Sequence, residues 1–375
     1  MIIGHIGALF GYVVPFLFVL TIVVFFHEMG HFLVGRWCGV KVDVFSLGFG
    51  KELAGFNDRH GTRWRIAAVP LGGYVKFHGD ANAASVPASQ DLSGMAPAER
   101  AVTFAAQPVW KRAAIVAAGP IANFILAIAI FSGSFYVSGR PILIPRIETV
   151  VPNSPAARAG FQPGDVVLGI DGTPINSFTD MQKVVSASGD IPLRFEVQRG
   201  TTDLTLTATP ERKDVSGPFG SSRVGVLGLT ATGKPEDWKT ETYTAGGALK
   251  AATSETWFVV DRTLSYIGGL FVGRETASQI SGPIRIAEVS GEVAKLGLGA
   301  LINLAAFLSV SIGFVNLLPV PLLDGGHLMY YLVEAARGRP MSERAQEIGF
   351  RFGLAIVSSL MIFATFNDVL RLVHG

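Results

Sequence analysis

Four stretches of this chain run almost without formal charge, and they constrain its fold more than any other feature. Residues 1–35 carry only Glu28, residues 113–139 and 352–367 carry no charge, and residues 296–333 carry only Asp324. A bilayer core takes about 20 apolar residues per helix, with a range of about 17–25. Residues 7–26, 113–139 and 296–321 meet that length. Residues 352–366 meet it with tilt, bilayer thinning or an extension through 369–373. One such run could be the core helix of a soluble protein, but four together read as transmembrane helices. Composition agrees, since 16% of the 375 residues are charged against about 25% in an ordinary soluble domain. A net charge of +2 gives no bulk attraction for nucleic acid, and the single Cys excludes an intramolecular disulfide or a Cys-rich metal site. The first run has neither a basic n-region nor a small-residue cleavage site, so it reads as a retained helix rather than a signal peptide.

Basic residues set the expected topology. Arg36, Lys111 and Arg112 flank membrane ends within a segment that also holds Lys41, Lys51, Arg59, Arg63, Arg65, Lys76 and Arg100. The positive-inside rule makes this segment cytoplasmic and the N-terminus external. Residues from Arg140 onward then lie outside, and Arg337, Arg339, Arg344 and Arg351 place the loop after the third span inside. Between 247 and 273, Leu249, Thr253, Trp257, Val260, Leu264, Ile267 and Phe271 recur at helical spacing, but Lys250, Glu255, Asp261 and Arg262 interrupt them. That pattern predicts an amphipathic helix on the outer membrane surface rather than a fifth span.

The external segment has soluble composition. Its sequence predicts a strand at 145–150, a short helix after Ser154-Pro155 ended by Gly160, a strand at 166–170 and a helix at 178–186 behind Ser177. A hairpin of 193–198 and 204–208 follows around Arg199-Gly200. A charged Gly/Pro/Ser-containing linker at 211–222 and one more strand at 223–229 complete the reading. This order, with the run from Ser154 to Gly172, resembles a PDZ domain over about 145–211. Such domains bind extended peptides by adding a strand to a sheet edge.

The chemistry begins at His27-Glu28-Met29-Gly30-His31. On a helix, positions i and i+4 share a face, so both imidazoles can hold one metal ion, and neutral imidazole suits zinc. Glu28 points about 100° away from His27 and can act on water beside the metal without occupying a ligand position. A carboxylate in a membrane helix is a functional candidate by default. A catalytic zinc site has three protein ligands. Cys38 lies seven residues after His31, and His5, His60, His78 and His374 lie in other regions; irregular backbone at membrane depth favours Asp324 as the third ligand, with His327 as its rival. Asp324 sits in Asn316-Leu-Leu-Pro-Val-Pro-Leu-Leu-Asp-Gly-Gly-His327, where two prolines break the helix and two glycines permit close backbone approach.

The His-Glu-x-x-His in the first span, Asn-x-x-Pro-x-Pro-x-x-Asp-Gly-Gly after the third and an inserted PDZ-like segment together resemble the site-2 protease family. The nearest resemblance is to bacterial regulator-of-sigma-E proteases, here with a single PDZ domain where many members carry two. Matching stretches include Gly39–Gly50, Pro70-Leu-Gly-Gly-Tyr-Val-Lys76, Ala118-Gly-Pro-Ile-Ala-Asn123 and Ser281-Gly-Pro-Ile284. The resemblance implies a polytopic α-helical membrane protein with four transmembrane helices, a membrane-associated β-hairpin and an inserted α+β PDZ domain. The corresponding division is a first helix at 1–36, a cytoplasmic segment at 37–112 with the hairpin at about 40–77, a second helix at 113–139 and an external region at 140–245. A surface helix and linker at 246–295, a third helix at 296–321, a cytoplasmic loop at 322–351 and a fourth helix at 352–370 follow.

The resemblance also implies a zinc intramembrane endopeptidase of the bacterial inner membrane, with both termini and the PDZ domain extracytoplasmic. Its expected substrates are single-pass membrane proteins such as anti-sigma factors already cut once, and its PDZ groove would take a peptide or C-terminus. His27, His31 and Asp324 would bind Zn2+ and Glu28 would be the general base. Asn316, Asn123 and the hairpin residues Phe45, Leu47, Gly72 and Gly73 would contact substrate. The hairpin, residues 42–49 with 63–77, would dip into the membrane and pair with an unwound substrate, and residues 81–98 read as a flexible loop. Two other classes compete with this reading. A transporter would bury the same carboxylates but show repeat symmetry, which is not seen. A PDZ scaffold with a dead protease core would have lost the motif.

Overall fold

The chain is described from a computed structural model that covers residues 2–80, 95–217, 220–231, 233–271 and 282–374. Most of the expected loop at 81–98 and Ser281 lie outside the described residues. The helices are α1 (Ile2–Trp37), α2 (Pro97–Arg100), α3 (Val109–Ser138), α4 (Pro155–Arg158), α5 (Phe178–Ala187), α6 (Ala245–Phe271), α7 (Pro283–Lys295), α8 (Leu298–Asn316), α9 (Asp324–Arg337) and α10 (Glu343–His374). The strands of the first sheet are β1 (Val42–Asn57) and β2 (Arg63–Phe77), and ten shorter ones follow among the described residues between 140 and 241. Two compact units result. One is drawn from 1–132, 249–263 and 280–375, the other from 133–248 and 264–279.

In the first unit, Phe10–Trp37, Val109–Ser138, Leu298–Asn316 and Arg344–Arg371 are long and apolar enough to cross a membrane. The fourth is longer than the charge-free run at 352–366 because helical hydrogen bonding continues through the charged flanks, whose long side chains can reach the interface. α6 is not among the candidate spans of the described residues. It buries Ala248, Ala252 and Val260 and leaves Leu249, Trp257 and Leu264 exposed, Trp257 by 68%.

Small residues bring α1 and α3 together, as is usual between membrane helices. A Cβ on Gly30 would overlap the carbonyl of Ala118, and one on Gly119 would overlap the His31 ring. Val19 and Val23 of α1 pack with Leu301 and Ala305 of α8, and Phe131 meets Phe307 edge-on at 5.0 Å. α7 packs on α1, and its first turn is capped from α10, where Asp368 accepts the backbone N–H groups of Gly282 and Arg285, each at 3.0 Å. At the other end of the spans, the ion pair Arg112–Glu334 (2.6 Å) ties the start of α3 to α9.

β1 and β2 do more than form the simple hairpin expected. Val44 pairs with both Lys76 and Arg63, and Leu47 with both Gly73 and Ile66, while Ala54–Asn57 pair with Ile66–Arg63. Two long strands therefore bend into four antiparallel segments, with 44–47 central and 73–76 at one edge. Their core joins Phe45, Val75 and Phe77 to Phe32 of α1, Ile115 of α3 and Tyr331 of α9.

The second unit is an α+β body. Strands β5 (Val166–Ile170), β6 (Thr173–Pro174), β7 (Leu193–Arg199) and β8 (Thr202–Ala208) form one sheet in the order β6-β5-β7-β8. The expected caps are present, with Ser154 accepting the Ala157 N–H (3.2 Å) and Ser177 the Asp180 N–H (3.0 Å). The core gathers Val167, Ile170, Phe161, Phe195, Val197, Met181 and Leu227. Leu227, Leu229 and Ala231 carry this unit beyond the expected limit near residue 211. The segment read as a linker at 211–222 pairs as Glu211–Gly217 with Gly220–Val226 instead. Composition reports what a segment can bury, not whether its backbone finds a partner.

Candidate metal centre

His27 and His31 stand one turn apart on α1, with Nε2 atoms 3.2 Å apart. Asp324 arrives from the far end of the chain. Its Oδ2 lies 3.2 Å from His27 Nε2 and 3.6 Å from His31 Nε2. These side chains are 11%, 12% and 18% exposed. Among the described residues, this is the group of three whose ligand atoms could hold a metal ion, all within 4.8 Å of one another.

The backbone that delivers Asp324 is irregular. After α8 ends at Asn316, residues 317–323 turn without regular structure, Leu322 takes φ = 99°, and Asp324 opens α9. A positive φ at a non-glycine residue costs on the order of 1–3 kcal/mol and marks positions the surroundings hold in place. Gly325 and Gly326 are needed here, because a Cβ on either would overlap the carbonyls of Leu317, Leu318 or Val320. The sequence reading of Pro319, Pro321 and the glycine pair thus has a direct steric basis.

A metal fits this donor set. Asp324 Oδ2 is buried and accepts no hydrogen bond, although two ring nitrogens face it. An unsatisfied buried carboxylate oxygen costs several kcal/mol unless a cation or donor meets it. His31 Nδ1–H donates to the Ile115 carbonyl at 2.9 Å, which leaves the Nε2 lone pair facing Asp324. Two imidazoles and a carboxylate are a zinc ligand set with room for water or substrate. The Ile115 carbonyl and the space at Gly119 were not foreseen from sequence; only the Ala118–Asn123 stretch hinted that α3 mattered here.

Glu28 points to the sheet. A Cβ on Gly73 would stand 3.0 Å from Glu28 Cγ and 2.9 Å from Ser46 O. Leu47 and Gly73 are cross-strand partners, so both sit beside the ligand helix. Gly72 and Leu47 line a small apolar cavity of about 100 Å³ with Leu20 and Val24 of α1 and Ile66 of the sheet. Phe45 differs from the expectation. It is 1% exposed, stacks on Trp64 at 4.4 Å and meets Phe32 of α1 at 5.6 Å, so these rings cover it and it belongs to the core. Asn316 closes α8, half-buried, with a side chain free of hydrogen bonds among the described residues. Asn123 is fully buried behind His27.

The other candidates lie apart. His327 is not in the ligand group. His78 pairs with Asp43 at 3.0 Å and Glu99 at 3.5 Å, and the Cys38 carbonyl accepts from Lys111 Nζ at 2.9 Å. His60 bonds through its backbone to Asp58, and the side chains of His5 and His374 are outside the described residues.

A His-Glu-x-x-His helix face closed by a carboxylate from a distant turn has the donor chemistry of a metallopeptidase site. Comparison with known proteins agrees. The model of Peptidase family M50 matches residues 15–360. A Rhizobium meliloti protein named "Putative zinc metalloprotease" is 50% identical over 360 residues, covering 96% of each chain. Metalloprotease MmpA of Caulobacter vibrioides is 42% identical, covering 96% of this chain and 95% of its own. The chain belongs to peptidase family M50, the site-2 proteases, and is a zinc metalloprotease. Among solved structures, the PDZ domain of an SdrC-like protein from Listeria monocytogenes matches 23% of this chain and 85% of its own, with 17% identity and a TM-score of 0.20. The HtrA3 PDZ domain bound to a phage-derived ligand matches 20% of this chain and 84% of its own, with 29% identity and a TM-score of 0.17.

Proposed function

We propose that this protein is an intramembrane endopeptidase that cuts the transmembrane segments of single-pass proteins, anti-sigma factors among them, after a first cut by another protease. The observation that carries this is the position of the ligand group. His27, His31 and Asp324 converge beside a candidate span, with Glu28 facing the edge of a β-sheet. In this reading His27, His31 and Asp324 hold the zinc. Zinc, when bound, supplies Lewis acidity, polarising a carbonyl and making water a stronger acid. Glu28 takes a proton from water through a carboxylate oxygen and returns it to the leaving amide nitrogen.

A transmembrane helix hides its amides in its own hydrogen bonds and must unwind before it is cut. The edge segment 73–76 offers an unwound stretch a strand partner next to Glu28, and the cavity at Leu47 and Gly72 offers an apolar side chain a place. The sheet lies in the membrane in this reading, consistent with exposed Leu53, Phe56, Ile66 and Leu71. The α+β unit acts as a PDZ domain that takes a peptide or a free C-terminus. That assignment rests on its order of caps, strands and helices. The protein sits in the bacterial inner membrane with both termini and the PDZ domain outside, and α6 rests on the outer surface. Labels placed near Arg262 and Arg337 are then reached from opposite sides; same-side labelling overturns the topology.

The activity test uses purified protein in detergent with a single-pass substrate. Glu28→Gln abolishes cleavage while the protein retains about one zinc per chain, as a general base that is not a ligand requires. Undiminished cleavage by Glu28→Gln overturns the assignment.

A further inference from the structure

α3 places a different kind of partner behind each histidine of the ligand pair. Behind His31 stands the Ile115 carbonyl, which can only accept, so Nδ1 carries the proton and Nε2 is bare. Behind His27 stands the Asn123 side chain, with the atom placed as Nδ2 3.2 Å from His27 Nδ1. The other end of that amide, Oδ1, is buried and has no hydrogen-bond partner. Asn123 is 0% exposed, and Ser309 Oγ of α8 donates to its backbone oxygen at 2.8 Å, so the residue is fixed between two helices.

An amide has a donor end and an acceptor end of nearly the same shape, and its orientation follows from the network around it. With Nδ2 toward the ring, Nδ1 must be bare and the His27 proton moves to Nε2. Such a ring has no lone pair on Nε2 and cannot ligate through it. Turned by half a rotation, the amide presents Oδ1, which accepts the Nδ1–H and frees the Nε2 lone pair toward His31 and Asp324. The second orientation gives the oxygen a partner and turns the amide nitrogen to the unpartnered end, so the choice between the two falls to the ring, which can ligate only when its Nδ1 carries the proton.

We infer that Asn123 is a positioning residue that selects the metal-ligating tautomer of His27, its side-chain oxygen accepting the Nδ1–H. This rests on the reading of His27 as a zinc ligand. It replaces the substrate contact expected of Asn123 from sequence, since a fully buried side chain behind the ring cannot meet a substrate. The pairing makes α3 the orienting helix for both histidines, through a backbone carbonyl at Ile115 and a side-chain carbonyl two turns later.

The test is zinc affinity of the full-length protein in detergent, read by competition with a chromogenic chelator, with the cobalt(II) absorption spectrum as a second readout. Asn123→Leu and Asn123→Ala bind zinc about 10–100-fold more weakly, the usual cost of removing such a partner. Asn123→Asp keeps an acceptor without a donor, and its affinity and cobalt spectrum stay close to wild type. Asn123→Asp and Asn123→Ala also form the deciding pair should the Leu variant fold poorly. Unchanged zinc affinity in Asn123→Ala overturns the inference, and so does an Asn123→Asp protein as weak as Asn123→Ala. Failure of the underlying zinc reading gives a different pattern, with His27→Ala and Asp324→Ala also leaving affinity unchanged.

Discussion

His27 and Asp324 stand near opposite ends of the chain and 3.2 Å apart in space, whereas Ser177 and the Asp180 N–H it caps are three residues apart. The two pairs typify the two units. In the α+β unit, caps and turns set short elements locally, and a dense core around Phe195, Val167 and Val197 holds them. In the helical unit, apolar burial cannot by itself pull helices together in lipid, since lipid tails are as apolar as the side chains. Close approach at small residues and polar contacts between helices take over, as at Gly30, Ser309–Asn123 and Arg112–Glu334. The lesson is that a lost contact should cost metal and activity in one unit and folding free energy in the other.

The largest separation of the two comes from Asp324→Ala. It removes one of the three proposed ligands, so the purified protein should lose its zinc and all detectable cleavage while the α+β unit keeps its proteolytic resistance. Retained stoichiometric zinc breaks the proposed ligand set. The converse is Phe195→Ala, which empties the core of the α+β unit and should cost about 3–5 kcal/mol there. Local protection from hydrogen exchange should fall in that unit while zinc content holds. Loss of zinc in Phe195→Ala would show that the units do not fold independently.

A smaller contrast concerns acid. Burial pushes the Asp80 carboxyl up to about 7, above its ordinary value of 3.8. The folded state therefore holds a proton that the unfolded chain releases between those values. Stability contributed by this group is full below about pH 4 and is lost as pH rises through about 7, with a slope of at most about 1.4 kcal/mol per pH unit. Asp80→Asn should flatten the fall of thermal midpoint over that window; an unchanged profile removes Asp80 as its source. The smallest effect is Ser177→Ala, which loses one helix cap and should cost about 1 kcal/mol in the α+β unit alone. A chemical-denaturation shift well beyond that would mean that Ser177 does more than cap.

Much of this was legible in order along the chain. Charge-free runs announced the spans, and the single carboxylates left within two of them, Glu28 and Asp324, pointed to the site. The Ser154 and Ser177 caps and the 166–170 strand were readable because they depend on neighbours a few residues away. The folding of β1 and β2 into four segments was not, because it depends on where two long strands bend and which edge each half meets. The burial of Phe45 was not legible either, since alternation along a strand does not show that Trp64 and Phe32 will cover that ring.

By itself the sequence determined that the chain has runs long and apolar enough to enter a membrane, that a helix face able to hold a metal lies at His27–His31, and that Asp324 is the charge worth watching. Those follow from composition and from the helical repeat, which are properties of short stretches. Only the tertiary structure decided that Asp324 rather than His327 reaches the histidines, that the 73–76 edge lies beside Glu28, and that α3 stands behind both rings. These depend on how closely helices approach and which atoms then lack a partner, and no local pattern encodes such distances.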